Sequence, residues 1–241
     1  MNTQPSIEQS HSAKPTLGQW VKRFIQIILG ILVVDGILFL IAGRLDWIGA
    51  WIFSFLYFIF VLVFVVWTMR NDPGLMEERG KRAENVKPWD KVIMTLYTIM
   101  LVGMLVVAAL DAGRFRWSEM PLVVQALGVI SLIPVGLLLF WVTATNSYLS
   151  SYARIQQDRG QQVVTTGPYK YVRHPMYAAV IPFIICVALI LGSWWALVPG
   201  GVIGVLFTIR TAMEDRMLQD ELPGYKEYAQ RVRYRLVPGI W

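Results

Sequence analysis

The chain has 241 residues, of which 56% are hydrophobic and 13% aromatic, while 16% are charged and the formal net charge is +6. A soluble domain carries about 25% charged residues, so the composition excludes an ordinary water-soluble enzyme and fits a chain whose apolar runs are cut to bilayer thickness. One cysteine, Cys186, and two distant histidines, His11 and His174, exclude an internal disulfide, a CxxC redox pair and any zinc or di-iron spacing, so no metal is expected.

In chain order, residues 1–23 form a polar tail. The apolar run 24–42 is too long for a signal-peptide core and is read as an uncleaved first span. Runs at 47–69, 92–110 and 122–143 follow, each near the roughly 20 residues a helix needs to cross hydrocarbon. Asp35 is an acid well inside a span; such a group is a functional candidate, or it is satisfied by an interhelical hydrogen bond. Between the second and third runs, Asp72, Pro73, Glu77, Glu78 and Arg79 make a polar loop that reads as a solvated connector or a substrate gate. Two shorter runs, 177–191 and 194–208, are joined by Gly192 and Ser193 and predict a tight helical hairpin, with Pro182 and Pro199 placed to kink it.

The predicted fold class is therefore all-α: a polytopic integral membrane protein with four long transmembrane helices, a carboxy-terminal helical hairpin and polar segments between them. Three regions follow: the tail at 1–23, a four-helix membrane region at 24–143, and a carboxy-terminal core at 144–241. Of 22 basic residues, 19 fall in the tail, the 70–91 loop, the 144–174 loop and the segment 210–241; Arg44, Arg114 and Arg116 lie on the other side. By the positive-inside rule these four segments, and with them both termini, are expected in the cytoplasm. Topology accounts for the positive charge, so anionic lipid headgroups are the expected electrostatic partner and no nucleic acid is implied. Tryptophans near the run ends, including Trp47, Trp67, Trp141 and Trp194, suit the headgroup layer.

Two of the loop segments hold more polar detail than topology requires. The first contains Thr166-Gly167-Pro168-Tyr169 and then Arg173-His174-Pro175-Met176-Tyr177. Gly167-Pro168 predicts a turn, and Pro175 biases His174 away from helical geometry while itself opening the next helix. Tyr169, Arg173, His174 and Tyr177 are thus held on a constrained strip at the membrane surface; a basic, aromatic connector is the plainer alternative. In the second segment Arg210 and Glu214 are four residues apart, sharing one face if the helix continues. They form either an ordinary exposed ion pair or two groups that bind opposite charges at the hydrocarbon boundary.

Taken together, Gly-Pro-Tyr-x-x-x-Arg-His-Pro-x-Tyr, the apolar hairpin, Arg-x-x-x-Glu-Asp-x-x-Leu and the tail containing Tyr225 and Tyr228 resemble the isoprenylcysteine carboxyl methyltransferase family, and more distantly the phospholipid N-methyltransferases. The resemblance spans roughly residues 145 to 238. It implies a membrane methyltransferase that binds S-adenosylmethionine in its carboxy-terminal half without a Rossmann fold. Carried over by position, cofactor contacts are implied for Gln156, for Gln161, Gln162, Val163 and Val164, for Tyr169, for His174, Pro175, Met176 and Tyr177, and for Glu214. Arg210 matches the family's substrate-contacting arginine, and Arg173 is set beside it as a second catalytic candidate. The chain departs from eukaryotic members at Gln161 and Gln162, where they carry His and Thr, and at Asp215, where a second Glu is common.

The residue types suit the implied reaction. An acidic group can hold the amino end of a sulfonium methyl donor, and aromatic faces accommodate cationic surfaces. A carboxylate acceptor is nucleophilic at neutral pH and needs alignment more than a base, whereas an amine must first lose a proton. The expected activity is O-methylation of a lipid-like or isoprenylcysteine-like carboxylate entering from the bilayer. Phospholipid N-methylation and an NADPH-dependent reductase of the sterol reductase type are the alternatives.

Overall fold

The computed structural model describes residues 16–80 and 86–241. Most of the predicted amino-terminal tail, including His11, and the Glu77 side chain lie outside the described residues. Among the described residues there are eight α-helices and no strand. Helix α1 (Leu17–Ala42) opens on a capping box between Thr16 and Gln19 and ends where Gly43 takes a left-handed turn at φ 67°. Next come α2 (Ile48–Asn71) and the short α3 (Pro73–Gly80), whose first turn is fixed by the Leu75 amide donating to the Asp72 carboxylate at 2.9 Å. Helix α4 (Pro88–Ala108) begins with proline in its first turn and runs on as a π-helical stretch, Ala109–Phe115. Beyond it lie α5 (Leu122–Thr145), α6 (Pro175–Leu191), α7 (Leu197–Glu221) and α8 (Tyr225–Arg231).

Among the described residues, five helices are long and apolar enough to cross a membrane: α1, α2, α4 with its π-helical extension, α5 and α7; the 17-residue α6 is also apolar. Outward-facing Leu40, Val123, Ile133 and Leu137 are 62% or more exposed. Each such side chain left in water forgoes about 1.5–3 kcal/mol of transfer free energy, so this surface needs hydrocarbon around it. The chain is an all-helical, polytopic membrane protein.

The hairpin is formed, but its second arm is not short. Instead of covering 194–208, α7 has 25 residues and continues to Glu221. Counting apolar residues ends the run at the first charge, yet Arg210 and Asp215 are both buried and paired, and no proline or glycine interrupts 205–221, so the helix carries on. Pro199 lies in the first turn of α7, where its missing N–H leaves no intrahelical bond unmade; it starts that helix rather than kinking it. Pro182 is inside α6.

The central core is built where α6 packs on α5 and α7, α4 on α7, and α1 on α2 and the π-helical stretch. Leu38, Met104, Ile184, Ile190, Leu191 and Ile203 are buried there. Asp35 accepts a hydrogen bond from the Ser54 hydroxyl at 2.5 Å, the interhelical partner that joins α1 to α2. At one end of the bundle, the segment 146–174, α3 and α8 come together over the ends of α2, α4, α5 and α7.

Candidate functional site

The 146–174 segment is non-repetitive backbone that is held by side chains. Gln156 is 1% exposed; its amide donates to the Tyr148 carbonyl and accepts from Arg159, while its backbone N–H donates to the Gln161 side chain at 2.8 Å. The Gly167–Lys170 stretch is a 3-10 turn. Gly167 sits at φ 55°, and a Cβ there would come within 2.6 Å of the Thr145 hydroxyl, so both the left-handed conformation and the close approach to α5 demand glycine. The turn delivers Tyr169 inward, where its hydroxyl accepts from Asn146 and its carbonyl accepts from the Tyr228 hydroxyl. His174 is non-helical and Pro175 is the first residue of α6, as the His-Pro pair predicts.

Asp215, with no solvent exposure, ties this strip to the carboxy-terminal segments. It accepts from Arg173 through two nitrogens at 2.7 and 2.9 Å, from Arg235 at 2.9 Å, from Gln219 at 2.9 Å and from the Tyr225 hydroxyl at 3.1 Å; His174 Nε2 lies 3.3 Å away. Arg173 also donates to the carbonyls of Val232 and Arg233, and the backbone amides of Arg173 and His174 donate to Tyr234 and Arg235. So many charge-assisted contacts offset the desolvation of a buried carboxylate and of its cationic and polar partners. Beneath them Val142, Tyr169, Leu222, Tyr225 and Tyr228 form a second apolar cluster. Burial pushes the Tyr169, Tyr225 and Tyr228 hydroxyls well above the ordinary tyrosine value, so all three stay protonated.

These elements enclose a cleft of about 850 Å³ of empty space, counting the open solvent at its mouth. The loop contributes Gln161, Gln162, Val163, Val164, Tyr169, Arg173 and His174; Met176 and Tyr177 come from the start of α6, Glu214 and Leu218 from α7, and Tyr225 and Tyr228 from α8. Glu214 is the acidic residue in this lining, and it accepts a short hydrogen bond from Tyr177. The His174 and Tyr177 rings stack with centroids 5.8 Å apart.

Of the sequence-derived candidates, Gln161, Gln162, Val163, Val164, Tyr169, Arg173, His174, Met176, Tyr177 and Glu214 line this one cleft. Gln156, Pro175 and Arg210 do not. Gln156 lies behind the loop, and Pro175 is buried at the helix start. Of the two readings of Arg210 and Glu214, the i,i+4 ion pair does not form. Arg210 is 4% exposed and donates to Asp90 at 2.7 and 3.2 Å and to the Ser151 carbonyl at 3.1 Å. Its guanidinium lies 5.2 Å from the centre of the Tyr177 ring, so Tyr177 touches both members of the anticipated pair.

Sequence reading overlooked Asp90, which has no exposure and whose carboxylate also accepts from the Ala153 amide at 2.7 Å. Its only local signal is an acid in the first turn after Pro88, which also describes any helix start. Asn146, Tyr148, Tyr152 and Arg154 were likewise missed as cleft-lining residues. Among the described residues, no group of three or more His, Cys, Asp and Glu side chains is placed to hold a metal.

A membrane bundle with a polar, aromatic cleft at one end of its carboxy-terminal helices defines the class. Residues 123–223 match the model of the phospholipid methyltransferase family, the family of membrane methyltransferases that includes isoprenylcysteine carboxyl methyltransferases. The match takes in α5, the loop, α6 and α7, and it bears out the family resemblance carried by the sequence motifs. No curated protein matches the chain.

Proposed function

We propose that the protein is an S-adenosylmethionine-dependent methyltransferase whose cofactor occupies the cleft between the 146–174 segment and α6, α7 and α8, and whose acceptor is a lipid-like molecule from the bilayer. The observation that carries this reading is the convergence of Gln161 to Val164, Tyr169, His174, Met176, Tyr177 and Glu214 on one cleft inside the family match. The donor set suits the cofactor: a carboxylate for its ammonium, tyrosine faces for adenine and sulfonium surfaces, and amide side chains at Gln161 and Gln162. When bound, S-adenosylmethionine supplies an electrophilic methyl on a sulfonium that departs as a neutral thioether.

The chain's own part is binding, orientation and exclusion of water. Glu214 holds the cofactor's amino end and is itself aligned by Tyr177. Arg173 and Arg210 act by positioning: Arg173 fixes the strip through Asp215, and Arg210, held by Asp90, itself contacts Tyr177 and the Ser151 carbonyl. With Arg210 neutralised by Asp90, its substrate contact is secondary to this role. A carboxylate acceptor then needs alignment and partial dehydration, with no proton to remove, which favours O-methylation of an isoprenylcysteine-like or other lipid carboxylate. N-methylation of a phospholipid amine is the second reading, favoured by the family whose model matches. The excess of basic residues in the segments around the cleft supports a cytoplasmic position for it.

The test is calorimetry on protein in nanodiscs with S-adenosylmethionine, its demethylated product and NADPH, followed by incubation with labelled S-adenosylmethionine and a total lipid extract. Binding of the first two and label in an ester or amine lipid fraction are expected. Binding of NADPH alone would move the protein to the reductase class, and reporter fusions at each terminus check the orientation.

A further inference from the structure

A second cavity lies within the membrane region, between α2 and α5 with α6 behind it. Its walls include Phe53, Tyr57, Phe60 and Phe64 on α2, Phe140 on α5 and Phe183 on α6, and it holds no charged residue. From Phe53 to Phe64 the groove follows α2 for about 16 Å at ~1.5 Å per residue, long enough to take an extended alkyl chain. Its Phe64 end is the end nearer α3 and the cleft.

Three arginines line the cleft. Arg173 is held by Asp215, and Arg154 by Glu78 and Asp158. Arg79, on α3, has no carboxylate within ion-pair distance among the described residues. Its guanidinium instead lies 5.2 Å from the centre of the Phe64 ring, so the one residue both lines the cleft and touches a wall of the apolar groove. Burial draws the Arg79 pKa below the usual arginine value, the mark of a cation that gains by acquiring an anion.

Building on the methyltransferase reading of the cleft, we infer that Arg79 binds the anionic headgroup, carboxylate or phosphate, of the methyl acceptor while the acceptor's hydrocarbon chain lies in the α2–α5 groove. Charge complementarity selects an anionic amphiphile over a neutral or cationic one, and the seam position of Arg79 sets the headgroup beside the cleft. A planar guanidinium meets either oxyanion through paired hydrogen bonds. The polar 72–79 connector is then part of the acceptor site.

The experiment uses the full chain in phosphatidylcholine nanodiscs, titrated calorimetrically with dodecanoate, dodecyl phosphate, dodecanol and dodecylammonium, with acetate and inorganic phosphate as chainless controls. Wild-type protein should prefer the two anionic amphiphiles over the alcohol by roughly 10- to 150-fold, and the chainless ions should not compete. Arg79→Ala should abolish that preference and Arg79→Lys retain part of it, both keeping S-adenosylmethionine affinity within about twofold. Gly136→Leu, which fills the groove beside Phe60, should weaken all four amphiphiles while leaving the cofactor bound. An unchanged anionic preference in Arg79→Ala, or a loss of cofactor affinity there in its place, overturns the inference. Failure of the wild-type protein to bind S-adenosylmethionine would instead remove the methyltransferase reading, and the cofactor titration tells the two failures apart.

Discussion

Asp90 and Asp111 sit near the two ends of α4 and its extension, roughly 30 Å apart at about 1.5 Å per residue, and neither has any solvent exposure. They are satisfied by different chemistry. Asp111 accepts from the Ser118 amide and hydroxyl at 2.8 and 2.6 Å and from the Ser193 hydroxyl at 2.5 Å, all neutral donors that pin the α4–α5 and α6–α7 turns together. Asp90, like Asp215 nearby on α7, is met by guanidinium groups. One end of the bundle is locked by neutral hydrogen bonds between short turns. At the other, buried ion pairs immobilise a long irregular segment, and that is the end with the cleft. Removing one partner of a buried ion pair strands a charge, whereas a hydroxyl-satisfied carboxylate loses only local bonds.

The largest effects should come from breaking the charged end. Arg210→Ala and Asp215→Ala should each cost about 3–5 kcal/mol, read by denaturant titration or thermal unfolding in detergent. A loss below about 1 kcal/mol would erase the distinction between the two ends, because only exposed pairs are worth so little. The double variant Asp90→Asn/Arg210→Gln sharpens the point, since it removes both charges and should recover most of the stability lost by Arg210→Ala. If its turnover recovers as well, Arg210 acts by positioning; a stable double variant without turnover would restore the acceptor contact to it.

Next in size is Glu214→Gln, which removes the cleft's acidic group but keeps its shape. S-adenosylmethionine affinity should fall roughly 10- to 150-fold with unfolding almost unchanged, and calorimetry alongside a melting curve would separate the two. Asp111→Asn, at the neutral end, should cost about 1–3 kcal/mol without altering cofactor affinity; a change in affinity would mean that the two ends are coupled. The smallest effect is expected for Ser54→Ala, which deletes the hydroxyl bound to Asp35 and should cost about 0.6 kcal/mol, the average for hydrogen bonds between membrane helices.

The sequence determined the class of fold, because a bilayer requires backbone polar groups to be satisfied within each segment and so makes every long apolar run a helix. It also marked the local geometry of the cleft: Gly167-Pro168 gave the 3-10 turn and His174-Pro175 the start of α6, since proline and glycine act on their own backbone and need no distant partner. The same local logic ended α7 too early at Thr208. What lets that helix continue is the pairing of Arg210 with a residue 120 positions away and of Asp215 with Arg173 and Arg235. Spacing placed Arg210 and Glu214 on one helix, but only tertiary structure decided that Asp90 takes the arginine and Tyr177 the glutamate. Electrostatic partnership depends on which groups are nearest in three dimensions and on how much water remains between them, and neither is a property of sequence separation. For the same reason Arg79, one basic loop residue among several in the sequence, becomes distinct only when folding pairs the other cleft arginines with carboxylates and lays this one against Phe64.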